Sequence, residues 1–158
     1  MPAKQPTPTA QTAAERRAAE SQVTALLLTV APEQQRLTAA LRKALRKRLP
    51  TAHEIVYEYA DNITISYSPS DKGYTGVLAL QVCADEVRLY FNNGKGMPDP
   101  DKLLKGSAKL VRWIPVESAA VLKRPAVAAL IDVAIARNTI PFAITGDGPI
   151  VVKAKSAR

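Results

Sequence analysis

Residues 33–49 combine recurring leucines with a cluster of cationic side chains. Leucine stands at every fourth position from Leu37 to Leu49, a spacing that predicts an amphipathic helix with one buried stripe. At about 100° per residue, five cations fall opposite the leucines, on the solvent side of that helix. They are Arg36, Arg42, Lys43, Arg46 and Lys47. The stripe is a candidate site for an anionic partner, such as nucleic acid or another polyanion. The alternative is a solvated helix face, with a basic last turn that the helix dipole favours.

Aromatic and cationic side chains on two predicted strands form a second candidate, a ligand face. Arg88 and Tyr90 project from one strand, and Arg112 or Trp113 projects from another. An aromatic ring beside a guanidinium can hold a flat anionic ligand by stacking and charge. The alternative is structural, because Tyr and Trp often lie half-buried with only their polar ends in water.

The residue types needed for covalent catalysis and metal binding are scarce. The chain has one cysteine, Cys83, and one histidine, His53. This excludes an internal disulfide and a zinc site built from several Cys and His ligands. No nucleophile elbow accompanies His53, so the sequence indicates neither a catalytic residue nor a metal site, and any cofactor is unknown. We therefore expect a binding domain. A Cys83–His53 pair, or an enzyme or sensor holding a metabolite between sheet and helices, remains an alternative.

Length and charge set the broad class of protein. With 158 residues and 47% hydrophobic content, the chain can form one domain with its own core. Its 22 Lys and Arg residues against 14 Asp and Glu give a net charge of +8, which favours anionic partners. No run approaches the roughly 18 apolar residues of a membrane helix. With a single thiol and no export signal, the chain is expected to be cytoplasmic and without a membrane partner.

Periodicity along the chain predicts the scaffold for these candidate sites. Residues 1–12 lack apolar periodicity and are predicted to be a disordered arm, while 13–158 form a single domain. Helices are predicted before Pro50 and over 125–137, with a late hairpin about residues 146–148. Strands are predicted over 54–59, 62–67, 76–83, 86–92 and 109–115. The fold class is therefore α+β, with an antiparallel sheet of about five strands and the helices on one face.

Four stretches of the chain resemble the YdhG-like family of small bacterial domains of unknown function. They are VTALLLTVAPEQQRLTAALRKALRKRLP, VRLYFNNG, LLKGSAKLVRWIPVESAAVLKRPAVAALIDVAIA and TGDGPIVVKAKSA. Together with the strands between them, they cover residues 23–156. The resemblance implies a frataxin-like α+β fold. Many members carry Gly-Met-Pro after the first strand, where this chain reads YEYADNITI, so we expect a differently shaped first hairpin.

The family is sometimes labelled an iron chaperone by analogy with frataxin, which gives a further alternative function. The likeness to frataxin implies an acidic iron-binding ridge along the first long helix, here residues 33–49. That helix offers Glu33 alone against six cations, which would repel iron. Hard cations need clustered carboxylate oxygens. The other acids expected nearby are Glu54, Glu58, Asp61, Asp85 and Glu86.

Overall fold

The structure, a computed structural model, describes residues 7–153. Within this range the chain is α+β, as predicted, with three α-helices and a six-stranded mixed sheet. The helices are α1 (Ala13–Leu27), α2 (Pro32–Arg48) and α3 (Pro125–Arg137). The strands are β1 (His53–Glu58), β2 (Ile63–Ser68), β3 (Leu78–Val82), β4 (Val87–Phe91), β5 (Arg112–Pro115) and β6 (Ile150–Val152). Short 3-10 helices span Gly73–Thr75 and Ala119–Lys123.

The strand order across the sheet is β5-β4-β3-β2-β1-β6. Strands β1 to β5 pair antiparallel in chain order, while β6 pairs parallel to β1, with Glu54 opposite Ile150. The prediction is corrected in two details: the sheet is mixed, and it has a sixth strand. The predicted tail hairpin is also wrong. The residues after the turn at 146–148 find their strand partner in β1, not in the segment before the turn.

Local signals set the starts of the helices. α1 begins with a capping box, in which Thr12 accepts from the Glu15 amide at 3.1 Å and Glu15 accepts from the Thr12 amide at 3.0 Å. α2 and α3 begin with Pro32 and Pro125, whose missing N–H costs nothing in a first helical turn. The predicted bounds of both proline-led helices agree with the structure to within one residue.

The core lies between the helices and one face of the sheet, here called the inner face. Leu41 and Leu45 are buried and Leu37 is partly buried, so the predicted leucine stripe of α2 is confirmed. Burial alternates along β4, where Arg88 and Tyr90 stay partly exposed between buried neighbours. Because successive strand residues point to opposite sides, these two belong to the outer face of the sheet.

The segment before α1 contacts the last strand. Gln11, in the predicted disordered arm, donates to the Ile150 carbonyl at 2.9 Å and accepts from the Ile150 amide at 3.0 Å. The hydroxyls of Thr7 and Thr145 share a hydrogen bond of 3.0 Å. The first half of the predicted arm, residues 1–6, lies outside the described residues, as do 154–158. No helix within 7–153 is long and apolar enough to cross a bilayer.

Candidate functional site

β1 carries a carboxylate, Glu54, that is fully buried against α2. It is 0% exposed and lies on the inner face opposite Tyr67. Arg42 donates to it twice, from Nη2 to Oε1 at 2.7 Å and from Nε to Oε2 at 3.1 Å. Arg46 donates from Nη1 to Oε1 at 3.1 Å, and the Tyr67 hydroxyl donates to Oε2 at 2.6 Å. These bonds satisfy the carboxylate, which is the condition for burying a charge.

This buried cluster alters the predicted cationic stripe. Arg42 is buried, and its Nη1 also pairs with Glu20 of α1 at 3.0 Å. Desolvation would lower the pKa of Arg42, but its bonds to Glu54 and Glu20 outweigh that effect and raise the pKa. Arg42 and Arg46 therefore act as counter-ions of Glu54. The prediction that Arg42 and Arg46 contact an external anion is corrected. Both residues lie beside the leucine stripe of α2, so their side chains point toward the buried Glu54.

The outward side of α2 borders an apolar groove with a charged rim, here called the cationic groove. It encloses about 560 Å³ between α2, the 3-10 helix Ala119–Lys123 and α3. The floor is apolar and rich in alanine: Ala40, Ala44, Leu45, Ala119, Leu122, Ala128 and Ile131. The rim is cationic: Lys43, Lys47, Arg48 and Lys123.

The rim lysines carry uncompensated charge. Within residues 7–153, Lys43, Lys47 and Lys123 form no ion pair. Arg48 pairs with Asp132, and both side chains are exposed. Arg36 is exposed on α2 but does not line the groove. Of the five cations predicted to contact an anion, Lys43 and Lys47 are therefore the two that face this depression.

The outer face of the sheet holds a second depression of about 830 Å³, here called the sheet trough. Strands β2 to β5 form its floor, and its walls are formed by Tyr74 and by residues 106–108, 110 and 111. Tyr90 pairs with Trp113 across β4 and β5, and their rings stack with centroids 6.3 Å apart. The Arg88 guanidinium carbon lies 3.9 Å from the centre of the Trp113 ring. Three of the four residues predicted as a ligand face thus come together.

Arg112, the fourth, lies on the opposite side of the sheet. It pairs with Phe91, a core residue, so its side chain projects toward the inner face. Its Nη1 donates to the carbonyls of Ala108 and Val111 at 2.6 and 2.7 Å. Adjacent residues of a strand point to opposite faces, so only Trp113 can join the outer surface.

Hydrogen bonds and a close backbone approach hold the trough residues and the neighbouring Arg88 in place. Arg88 pairs with Glu86 at 2.9 Å, a bond that raises the pKa of Arg88 and lowers the pKa of Glu86. The Tyr90 hydroxyl donates to Gln81 Oε1 at 3.1 Å. Gly106 has φ +110°, and a Cβ there would lie 3.2 Å from Trp113 Cδ1. Glycine therefore lets the wall of the trough lie against the indole.

His53 and Cys83 stand at opposite ends of the sheet. His53 pairs with Ser68 at one end of β2, whereas Cys83 follows Val82, which pairs with Ile63 at the other end. Ser68 and Ile63 are five residues apart along β2, so the two ends are about 16 Å apart. Burial lowers the pKa of His53 and raises that of Cys83. The two side chains cannot act as a nucleophile and its base in this fold.

Acidic side chains do not converge on a metal site in the part of the chain that the structure describes. No group of three His, Cys, Asp or Glu residues within 7–153 could hold an ion. Glu54 is enclosed by arginines. Four acids border a shallow depression at the start of α2: Glu33, Asp85, Glu86 and Glu117.

Sequence reasoning missed several residues that line the two depressions. Lys123 was overlooked, although the basic pair Lys123 and Arg124, directly before the proline that begins α3, was a usable signal. Tyr74 and Gln81 were overlooked because a loop tyrosine and a strand glutamine carry no signal until the outer face is known. No protein-family model, curated protein or solved structure matches this chain. Function must therefore be inferred from the cationic groove and the sheet trough.

Proposed function

We propose that this chain is a bacterial YdhG-like domain that acts in the cytoplasm as a non-enzymatic binding module for an anionic partner. The observation that carries the proposal is the cationic groove. Three lysines surround its apolar floor, and none of them has a carboxylate partner among residues 7–153. The net charge of +8 would draw an anionic partner toward this surface.

An acidic amphipathic segment of another protein is the partner that fits this groove best. Lys43 and Lys47 stand one helical turn apart on one wall, and Lys123 stands on the opposite wall. A helix could set its apolar stripe on the alanine-rich floor while carboxylates on both of its flanks meet the lysines. Duplex DNA would use the cations but gain nothing from an apolar floor.

The two alternative functions draw less support from the described residues. An iron chaperone would need a cluster of carboxylates that can hold an ion. Within residues 7–153 no three His, Cys, Asp or Glu side chains form such a group, and Glu54 is neutralised by Arg42 and Arg46. An enzyme or sensor would hold its metabolite between sheet and helices. In that layer the described side chains pack into an apolar cluster, and the buried carboxylate of Glu54 is already taken up by Arg42, Arg46 and Tyr67.

A labelled helical peptide with a leucine face flanked by glutamates tests the proposal by fluorescence anisotropy. Wild type is expected to bind it, and Lys43→Gln/Lys47→Gln/Lys123→Gln to bind about tenfold more weakly, because each exposed ion pair contributes up to about 1 kcal/mol. Arg42 and Arg46 are not substituted, because the loss of their ion pairs with the buried Glu54 would destabilise the fold.

The matched control is Lys72→Gln/Lys95→Gln/Lys153→Gln, which removes three exposed lysines that do not line the groove. It should retain the affinity of wild type at equal ionic strength. Equal losses in the two triple variants would show non-specific attraction instead of a site. If heparin binds as tightly as the peptide, the partner is a simple polyanion and not an amphipathic segment. If neither probe binds, the proposal is wrong.

A further inference from the structure

The sheet trough has the aromatic lining of a surface that stacks planar groups. Trp113 and Tyr90 stand side by side in it, and Tyr74 adds a ring that is 86% exposed. Ala79 lies directly opposite Tyr90 in β3, where its small side chain keeps the floor low. An exposed ring gains apolar contact only when a ligand covers it, and nucleobases stack favourably on such rings.

Amide side chains around the rings offer hydrogen-bonding groups to the edge of a base. Gln81 uses Oε1 to accept from Tyr90, while its amide nitrogen has no partner within residues 7–153. Asn92 donates from Nδ2 to the Gly76 carbonyl at 2.8 Å, and its Oδ1 has no partner in the same range. Asn93 lies exposed at the same rim. Single-stranded nucleic acids are recognised by such groups beside stacking rings.

The charge around the trough is suited to phosphates. None of the described residues that line it is acidic. The Lys105 ammonium lies 5.9 Å from the centre of the Trp113 ring, and Lys109 is exposed on the loop that forms the wall. Glu86, close by, is already paired with Arg88. A neutral sugar would have no use for these lysines, whereas a phosphate backbone would follow them.

We propose that the sheet trough binds single-stranded nucleic acid, with bases stacked on Trp113, Tyr90 and Tyr74 and phosphates along Lys105 and Lys109. Open sheet surfaces with aromatic side chains hold about two or three bases in this way. The site is separate from the cationic groove, which lies among the helices.

Trp113 is the only tryptophan in the chain, so its fluorescence reports on the trough. Oligothymidylate and oligouridylate are titrated into the full-length protein at about 50 mM and about 200 mM salt. Both are expected to quench Trp113 saturably, with weaker binding at the higher salt concentration. Tyr74→Ala is expected to weaken binding about tenfold, because one stacking ring is lost. Its exposed side chain makes the fold insensitive to the change, which circular dichroism would verify.

Two double variants that lose the same charge separate this site from the cationic groove. Lys105→Gln/Lys109→Gln is expected to weaken oligonucleotide binding and to reduce the slope of log K against log salt by about 1.4. Lys43→Gln/Lys47→Gln is expected to bind oligonucleotides as wild type does. The proposal is overturned by absence of quenching, by equal losses in both double variants, or by quenching with maltose but not with oligonucleotides. Peptide binding at the groove is measured independently, so either proposal can fail alone.

Discussion

Glu54 shows how one residue can depend on partners far along the chain. Glu54 precedes two consecutive apolar residues of β1, and the strand register turns it toward the helices, opposite Tyr67. Burying an isolated carboxylate would cost several kcal/mol or more. Arg42 and Arg46 remove that cost by donating three of its hydrogen bonds, and Glu20 balances the second guanidinium charge. The result is a cluster without net charge around a buried carboxylate.

Glu54→Gln is expected to lower the free energy of unfolding by about 3–5 kcal/mol, because it leaves two arginines beside a neutral group. Glu58→Gln is the matched control, since Glu58 lies on the same side of β1 and is only partly buried. Urea unfolding monitored by circular dichroism measures both values. A loss below about 1 kcal/mol for Glu54→Gln would mean that the cluster contributes little to the fold.

At the scale of the elements, α2 separates what the sequence could predict from what it could not. The leucine spacing and Pro32 determined its bounds and its buried side, because both signals are local. The inward turn of Arg42 was not predictable, since it depends on a carboxylate in a strand and on a second acid, Glu20, in α1. The charge pattern of the helix therefore predicted the groove lysines, but it also included two arginines that pair with the buried Glu54.

The pairing of the last strand, β6, was also not predictable from local sequence signals. A turn with two glycines at 146 and 148 is typical of a hairpin, and no local signal distinguishes a hairpin from an entry into a distant parallel strand. The tail instead approaches the start of β1, where the Gly148 amide donates to the Pro50 carbonyl at 2.8 Å and the Glu54 amide donates to the Pro149 carbonyl at 2.9 Å. Glycine is needed at position 148 because the two backbones approach closely there. Its backbone conformation does not require glycine, since its φ is not in the left-handed region.

Gly148→Ala is expected to destabilise the protein by about 1–3 kcal/mol through overpacking. A Cβ at this position would lie only 1.7 Å from the Ala52 carbonyl oxygen, so β6 must shift away from β1. Amide hydrogen exchange should therefore quicken in β6 and in α1, which packs on it. Asp147→Ala, at an exposed neighbouring position, is the control and should leave exchange unchanged. Native exchange rates in both variants would show that the close approach is unimportant.

At the scale of the whole molecule, the positive charge is divided among surfaces instead of concentrated on α2. The helical side carries the rim of the cationic groove, and the outer face carries Lys105 and Lys109 beside the trough. Acids collect at the start of α2. Two anionic partners could thus approach different sides of one domain, and increasing salt should weaken both interactions while leaving the buried Glu54 cluster nearly unaffected.

The stability of the whole molecule should fall as the pH falls below about 6.5, because of His53. Burial lowers its pKa, against the opposing effects of Asp71 and of a Ser68 backbone hydrogen bond, and its buried Nδ1 has no partner among the described residues. The unfolded chain therefore binds the proton more readily, so stability is lost as the pH falls below the pKa of the unfolded chain, and the loss levels off below the pKa of the folded chain.

Unfolding free energies between about pH 7.5 and about pH 5.5 should decline for wild type and stay level for His53→Gln. The lowered pKa of Glu86 acts only below this window. Because the chain has a single histidine, one imidazole proton resonance gives the pKa directly, and a value of 6.5 or above would contradict the prediction.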